Sequence, residues 1–271
     1  MGGFPGSILL TQGDQYKETS DKRHPLGTRG YTRDGRVFRY ARAGSSALEA
    51  GHLMQAEAPT ADLNMDLNPT TSTAPSTGST KIGLQSGVTS CTLTADTFID
   101  GYLYINDGAT GSMIGQMVQL AGNDSPGVDA TGDIDVYLRE DSFFTEAPTT
   151  ACEMSITKNK YDDVIIKPAG ARTSIPLGVT PRHVTATYYF WLATWGPAPC
   201  LTAAVVVIGK PVGDHTSTFC ETTSVAGAIQ AGDSATQAGD GAGTLVGMSV
   251  GNVIQVGADT DMSLIDLKLE P

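Results

Sequence analysis

Four histidines, His24, His52, His183 and His215, are the side chains best suited to move a proton or hold a metal ion near neutral pH. None has a second histidine at i+4 and no HExxH is present, whereas a helical zinc site needs two imidazoles on one helix face. The four cysteines, Cys91, Cys152, Cys200 and Cys220, are separated by 61, 48 and 20 positions and form no CxxC pair. They read as buried thiols, with a disulfide left open. Asp133 with Asp135, and Asp259 with Asp261, are i, i+2 pairs that share a face on a strand. There they could chelate a hard cation or simply solubilise a strand edge. Gly239-Asp-Gly-Ala-Gly243 is the nearest thing to a phosphate loop, but it lacks a strand before it and a helix after it, and its acid would repel a phosphate. GxSxG, Walker and kinase signatures are absent, so the chain is expected to be non-enzymatic, with no catalytic residue, metal or cofactor. Distant carboxylates of the glycosidase kind stay open.

Charge and aromatic residues are more informative. The 271 residues carry a net charge of -12, which argues against nucleic acid or an anionic membrane as partner. Between positions 22 and 42, seven cations (Lys22, Arg23, Arg29, Arg33, Arg36, Arg39, Arg42) face one acid, Asp34, so this stretch is +6 and the remainder -18. Such a segment can grip an acidic surface or fold back on its own acidic body. In the first case Arg29, Arg33, Arg36, Arg39 and Arg42 are the contact residues. Tyr188, Tyr189, Phe190, Trp191 and Trp195 crowd eight positions and include both tryptophans of the chain. Strand alternation sends Tyr189 and Trp191 to one face and Tyr188 and Phe190 to the other. Either the strand is covered on both sides within the chain, or one face, with Tyr189, Trp191 and Trp195, meets another subunit; a sugar platform would use the same rings.

The elements that must carry these residues read as mainly β: β-sandwich or barrel-like domains with an extended N-terminal arm and little helix. Residues 1–34 lack periodicity and read as the arm, 35–160 as a first β domain, and 161–271 as a second β-rich domain. Val37 to Arg42 alternates as a strand, and Ser46 with Glu49 matches a capping box for a short helix closed by Gly51. The stretch 59–80 reads as a loop or connector with at most one short edge strand around 63–67; beyond it short strands are expected around 88–94, 101–105, 117–120, 134–138, 153–157 and 164–167, and again over 184–193, 203–208, 244–249 and 265–269. Asp107-Gly108 and Gly122-Asn123 are read as the turns between them. The longest apolar run, Leu201 to Ile208, is far short of a membrane span of about 20 residues. The first residues lack a basic region before an apolar one, so no secretory signal is expected, the chain is read as starting near residue 1, and the protein as soluble.

Gly30-Tyr-Thr-Arg-Asp-Gly-Arg-Val-Phe-Arg-Tyr-Ala-Arg-Ala-Gly44, Leu48-Glu-Ala-Gly51, His52-Leu-Met-Gln55 and Asp100-Gly-Tyr-Leu-Tyr-Ile-Asn-Asp-Gly108 follow one another in order along the chain. Ile156-Thr-Lys-Asn-Lys-Tyr161, Pro176-Leu-Gly-Val-Thr-Pro-Arg182 and Tyr189-Phe-Trp-Leu-Ala-Thr-Trp-Gly-Pro197 continue the series. Together these segments resemble virion structural proteins encoded in tailed-phage head modules. The resemblance implies a capsid decoration, or cement, protein on the outer surface of the virion head, with the major capsid protein as partner and a homotrimer as its common form. It names no active site. A head-fibre or tail-associated adhesin contacting host glycans is the alternative.

Overall fold

The computed structural model describes residues 6–11, 13–59, 67–69, 78–85, 94–108, 114–124, 133–169, 173–202, 206–214, 226–231, 249–257 and 261–271. By internal packing the chain forms two units, Met1–Ala58 with Lys160–Pro271, and an inserted Pro59–Asn159. The larger unit opens with β1 (Ile8–Leu9), a 3-10 turn at Asp14–Tyr16, β2 (Glu18–Thr19), β3 (Arg29–Tyr31), β4 (Val37–Arg42) and β5 (Leu53–Gln55). The insert holds β6 (Asn68–Pro69), β7 (Lys81–Gln85), β8 (Tyr102–Asp107), β9 (Met117–Asn123), β10 (Asp133–Leu138) and β11 (Glu153–Thr157). The chain then returns with β12 (Ile165–Ile166), β13 (Pro176–Val179), β14 (Tyr189–Leu201), β15 (Pro211–Asp214), β16 (Ile229–Ala231), β17 (Ser249–Gln255) and β18 (Met262–Lys268). The fold is mainly β.

The inserted unit is a six-stranded antiparallel barrel. Its strands follow the order β11-β8-β9-β10-β7-β6. The ends of that path meet where Leu67 and Met154 exchange backbone hydrogen bonds of 2.9 and 2.7 Å, which removes the open edges. Period-2 alternation fills the inside: Ile82 and Leu84, Leu103 and Ile105, Val118 and Leu120, Ile134 and Val136, Met154 and Ile156 are all buried there. Gly122-Asn123, expected as a turn, lies inside β9. A Cβ at Gly122 would come within 2.2 Å of the Asp96 carboxylate, and the Asn123 side chain accepts from the Phe98 N–H at 3.0 Å, so both residues serve close packing.

In the larger unit β14 is the spine, thirteen residues long. Its first half pairs with β4, from Tyr189 opposite Arg42 to Trp195 opposite Val37, and its second half with β18, from Trp195 opposite Lys268 to Leu201 opposite Met262. The sheet runs β1-β3-β4-β14-β18-β17-β15-β16. One core contains Phe38, Tyr40, Trp191, Cys200 and Ile265, and a second contains Ala41, Leu48, Phe190 and Leu192. Two prolines in a central strand need an explanation, because proline cannot donate to the ladder. Leu201 donates its N–H away from β18, to the Gly51 carbonyl at 2.8 Å, and by the two-residue period Pro197 and Pro199 face the same way. The ladder to β18 therefore loses nothing.

Three expectations are corrected by these contacts. Residues 35–58 do not belong with the segment that follows them, because β4 pairs with β14 and β5 with β12 and β13; the division near 160 is one residue from the observed one. The described part of the stretch read as an arm, 6–11 and 13–34, is not free: β1 lies parallel to β3, β3 pairs with β4, and Leu10 and Leu26 are buried. No helix forms at Ser46 to Gly51. Leu48, fully buried, exchanges backbone hydrogen bonds with Val184 at 2.9 and 2.8 Å, which uses the groups a helix would need, although Gly51 does take the expected left-handed φ of 73°. Most of the strands expected around 63–67, 88–94 and 244–249, and part of that around 203–208, lie outside the described residues; 206–207 is irregular and leads into a turn at 208–209, with Val207 and Ile208 exposed.

Candidate functional site

The five candidate arginines separate into two groups. Arg42 is internal: its Nε lies 2.6 Å from Asp162 Oδ1 and its terminal nitrogen 2.8 Å from Asp163 Oδ1, with the Asp162 side chain 1% exposed. Burial presses the Arg42 pKa down, but the two carboxylates outweigh it and hold the guanidinium charge firmly. Arg39 is also committed, to Glu270 at 3.4 Å and to the Pro271 carbonyl at 2.9 Å. Arg36 pairs with Asp34 at 2.8 Å and its guanidinium lies 5.8 Å from the Phe38 ring centroid. Arg29 sits 6.0 Å over the Tyr31 ring, and Arg33 is exposed in the β3–β4 turn. Of the five proposed contact residues, Arg39 and Arg42 are thus spent on internal ion pairs.

The aromatic strand is covered on both faces up to Ala193. Trp191 is 6% exposed and meets Tyr40 (ring centroids 5.1 Å) and His24 (5.6 Å), while Tyr189 stacks on Tyr40 at 5.8 Å. A Cβ at Gly30 would lie 2.8 Å from the Trp191 ring, so only glycine fits beneath it. Trp191 and Tyr189 are therefore core and half-buried residues of the chain itself rather than a free face for another subunit. Trp195 differs because the register of β14 against β4 shifts between Ala193 and Trp195. The bulge turns Trp195 outward, 36% exposed.

That bulge creates a surface the sequence reading missed. Leu9, Tyr31, Val37 and Trp195 stand opposite one another across β1, β3, β4 and β14, with Val37 buried and the other three exposed. A shallow open cleft of about 530 Å³ is lined here by Gly6, Ser7, Arg29, Tyr31, Gly35 and Val37. The signal available in sequence was the spacing Trp191-x-x-x-Trp195, which puts both rings on one face only if the strand is regular.

Next to this row the chain end is clasped. Glu270 receives Tyr161 O–H, ion-pairs with Lys160 at 2.9 Å and Arg39 at 3.4 Å, and its carbonyl accepts from Thr194 Oγ1 at 2.7 Å. Burial raises the Glu270 pKa, but the Tyr161 hydrogen bond and the Lys160 and Arg39 charges hold it below the ordinary carboxylate value. A carboxyl depressed on folding adds stability above its unfolded pKa and loses it as the pH falls through the folded one. Chemical denaturation from about pH 7 to about pH 3 is expected to show that loss, and Glu270→Gln to flatten this part of the profile. An identical profile in the variant would remove the clasp from the account.

The other candidate chemistry is dispersed. Among the described residues no group of three or more His, Cys, Asp or Glu could hold a metal ion. Asp135 is ion-paired with Lys81 at 2.7 Å, and Asp259, Cys91, Cys220, His215 and 239–243 lie outside the described residues. Cys152 and Cys200 are buried, and burial pushes the Cys200 thiol far above its ordinary pKa, which leaves it unreactive. Burial lowers the His24 pKa. His52 Nδ1 lies 3.0 Å from the Ala50 carbonyl, and His183 is 4.0 Å from Glu49 at the surface. No helix among the described residues is long and apolar enough to cross a membrane.

No family model matches the chain, and no curated protein or solved structure matches it. The row of Leu9, Tyr31 and Trp195, with Arg29, Arg33 and Arg36 beside it, is the strongest candidate site in the larger unit. It combines exposed aromatic area with cationic side chains, a combination suited to binding rather than to bond making.

Proposed function

We propose that the protein is a non-enzymatic capsid decoration, or cement, protein of a tailed bacteriophage, lying on the outer surface of the virion head and bridging major capsid protein subunits as a homotrimer. The observation that carries the reading is where the resembling segments fall. Residues 30–44 span the β3–β4 hairpin and 189–197 open β14, and these are hydrogen-bonded neighbours in the middle of the large sheet. The resemblance therefore lies in residues that determine the fold. A cement protein works by contact area: by binding the expanded shell alone, it adds free energy to that state against the outward stress of packaged DNA.

The electrostatic part of attachment then rests on Arg29, Arg33 and Arg36. At about 0.5 kcal/mol for each exposed pair they give roughly 1.5 kcal/mol per subunit, and a trimer multiplies this through avidity. Co-sedimentation with expanded capsids is expected to recover the protein at a copy number comparable to that of the capsid protein. Replacing the three arginines by Ala is expected to release it at lower salt with thermal unfolding nearly unchanged. A few copies confined to a fibre or tail would favour the adhesin instead, and no retention on expanded shells would overturn the proposal.

A further inference from the structure

The net charge of the chain is concentrated in one unit. Residues 59–159 hold thirteen carboxylates against three cations, a net of -10, while the larger unit, with more than half of the residues, is only -2. The barrel also carries its own exposed apolar patch. Tyr104 and Met117 are direct cross-strand partners on β8 and β9, both pointing outward, with Met117 62% exposed. The segment that follows β10 is tied along β9: Ser142 Oγ accepts from Gln119 N–H at 2.8 Å, and Thr145 donates its N–H and O–H to Gln116 Oε1 at 3.1 Å each. On this segment Phe144 is buried in the barrel core and Phe143 is 56% exposed, and Ile114 is exposed just before β9. Asp107, at the end of β8, and Glu140, Asp141 and Glu146, on the segment after β10, are exposed, with Asp141 3.5 Å from Arg139 Nε.

The row on the larger unit is its counterpart in both respects. Tyr31 and Trp195 supply the apolar centre, and the cations near it are Arg29, Arg33, Arg36, Arg39, Lys160 and Lys268, against the carboxylates of Asp34, Asp266 and Glu270. We propose that these two surfaces bind each other between copies: the acidic barrel face of one chain docks on the Tyr31–Trp195 row of the next. An apolar centre with a rim of opposite charge supplies both the anchor and the steering such a contact needs. Because the two patches differ, the contact is head-to-tail, and it closes into a ring when the rotation between copies permits. A row filled by a sister barrel face takes Arg29, Arg33 and Arg36 away from the shell, so this contact competes with capsid attachment for the row and does not rest on the proposed function.

The test uses two single-sided variants of the full chain. Trp195→Ala with Arg33→Glu spoils the row, and Met117→Asp with Phe143→Ser spoils the barrel face; all four positions are exposed. Sedimentation velocity of the wild type is expected to show self-association that weakens as salt rises from about 0.1 M to about 1 M, where the Debye length falls from about 10 to about 3 Å. Each variant alone is expected to self-associate roughly thirtyfold or more weakly, the size of effect seen when a central anchor is truncated. Mixed together they are expected to form a one-to-one dimer and stop, because one intact row then meets one intact barrel face. That rescue also shows that each variant is folded. A wild type monomeric at high micromolar concentration, variants that assemble like the wild type, or a mixture that stays monomeric would overturn the proposal. Capsid co-sedimentation separates the two readings: assembly as described without capsid binding removes the decoration role alone, and capsid binding with assembly insensitive to the variants removes this contact alone.

Discussion

Trp191→Ala is expected to lower the stability of the larger unit by about 3–5 kcal/mol, the range for removing a large aromatic side chain from a packed core. The indole is 6% exposed and wedged between Tyr40, His24 and Gly30, with β14 held by β4 in the interior of the sheet, so the cavity has little freedom to collapse. At roughly 2–4 °C per kcal/mol for a unit of this size, the melting midpoint falls by roughly 6–20 °C. Trp195→Ala, four residues on and outward after the bulge, is expected to cost less than about 1 kcal/mol. The contrast is the decisive measurement. Both tryptophans of the chain lie in this unit, so fluorescence of the remaining one follows its unfolding in either variant. Equal losses, or a Trp191→Ala protein within about 1 kcal/mol of wild type, would show that the strand is not covered on both faces.

Arg42→Ala is expected to cost about 3–5 kcal/mol as well, for an electrostatic reason. The guanidinium lies 2.6 Å from a carboxylate of Asp162 that is shut away from water, and removing it strands that charge in a poorly polarisable environment. The fork also reaches Asp163, so Arg42→Lys, which keeps the charge and loses the planar geometry, is expected to fall between wild type and alanine. The double variant Arg42→Ala with Asp162→Asn is expected to be more stable than Arg42→Ala alone, since the stranded charge is gone. Urea denaturation of the four proteins at neutral pH measures these differences. An Arg42→Ala loss below about 0.5 kcal/mol would mean that the pair is solvated and that the residue is free to serve a partner.

Fold class was legible in the sequence because alternation has only local requirements. Leu103 and Ile105, Ile134 and Val136, and Met154 and Ile156 declare a strand within five or six residues, and each is found on one, facing inward. The clustering of cations between 22 and 42 and of aromatics between 188 and 195 was equally plain. Which of those side chains faced water was not. Arg42 and Arg39 look like Arg29 and Arg33 until Asp162, Asp163 and Glu270 arrive from more than a hundred positions away. Trp191 and Trp195 look equivalent until the register shift on β14, set by pairing with β4, reverses one of them. The same holds for the helix expected at Ser46 to Gly51: the capping pattern is a local preference of about 1 kcal/mol, and a buried Leu48 paired with Val184 outweighs it. The insertion of the barrel between β5 and β12 likewise follows from pairing across the chain. Short-range pattern determined the strands and the composition of the surface; long-range pairing, which no local pattern encodes, decided which residues are buried, which charges are neutralised and where an exposed aromatic row remains.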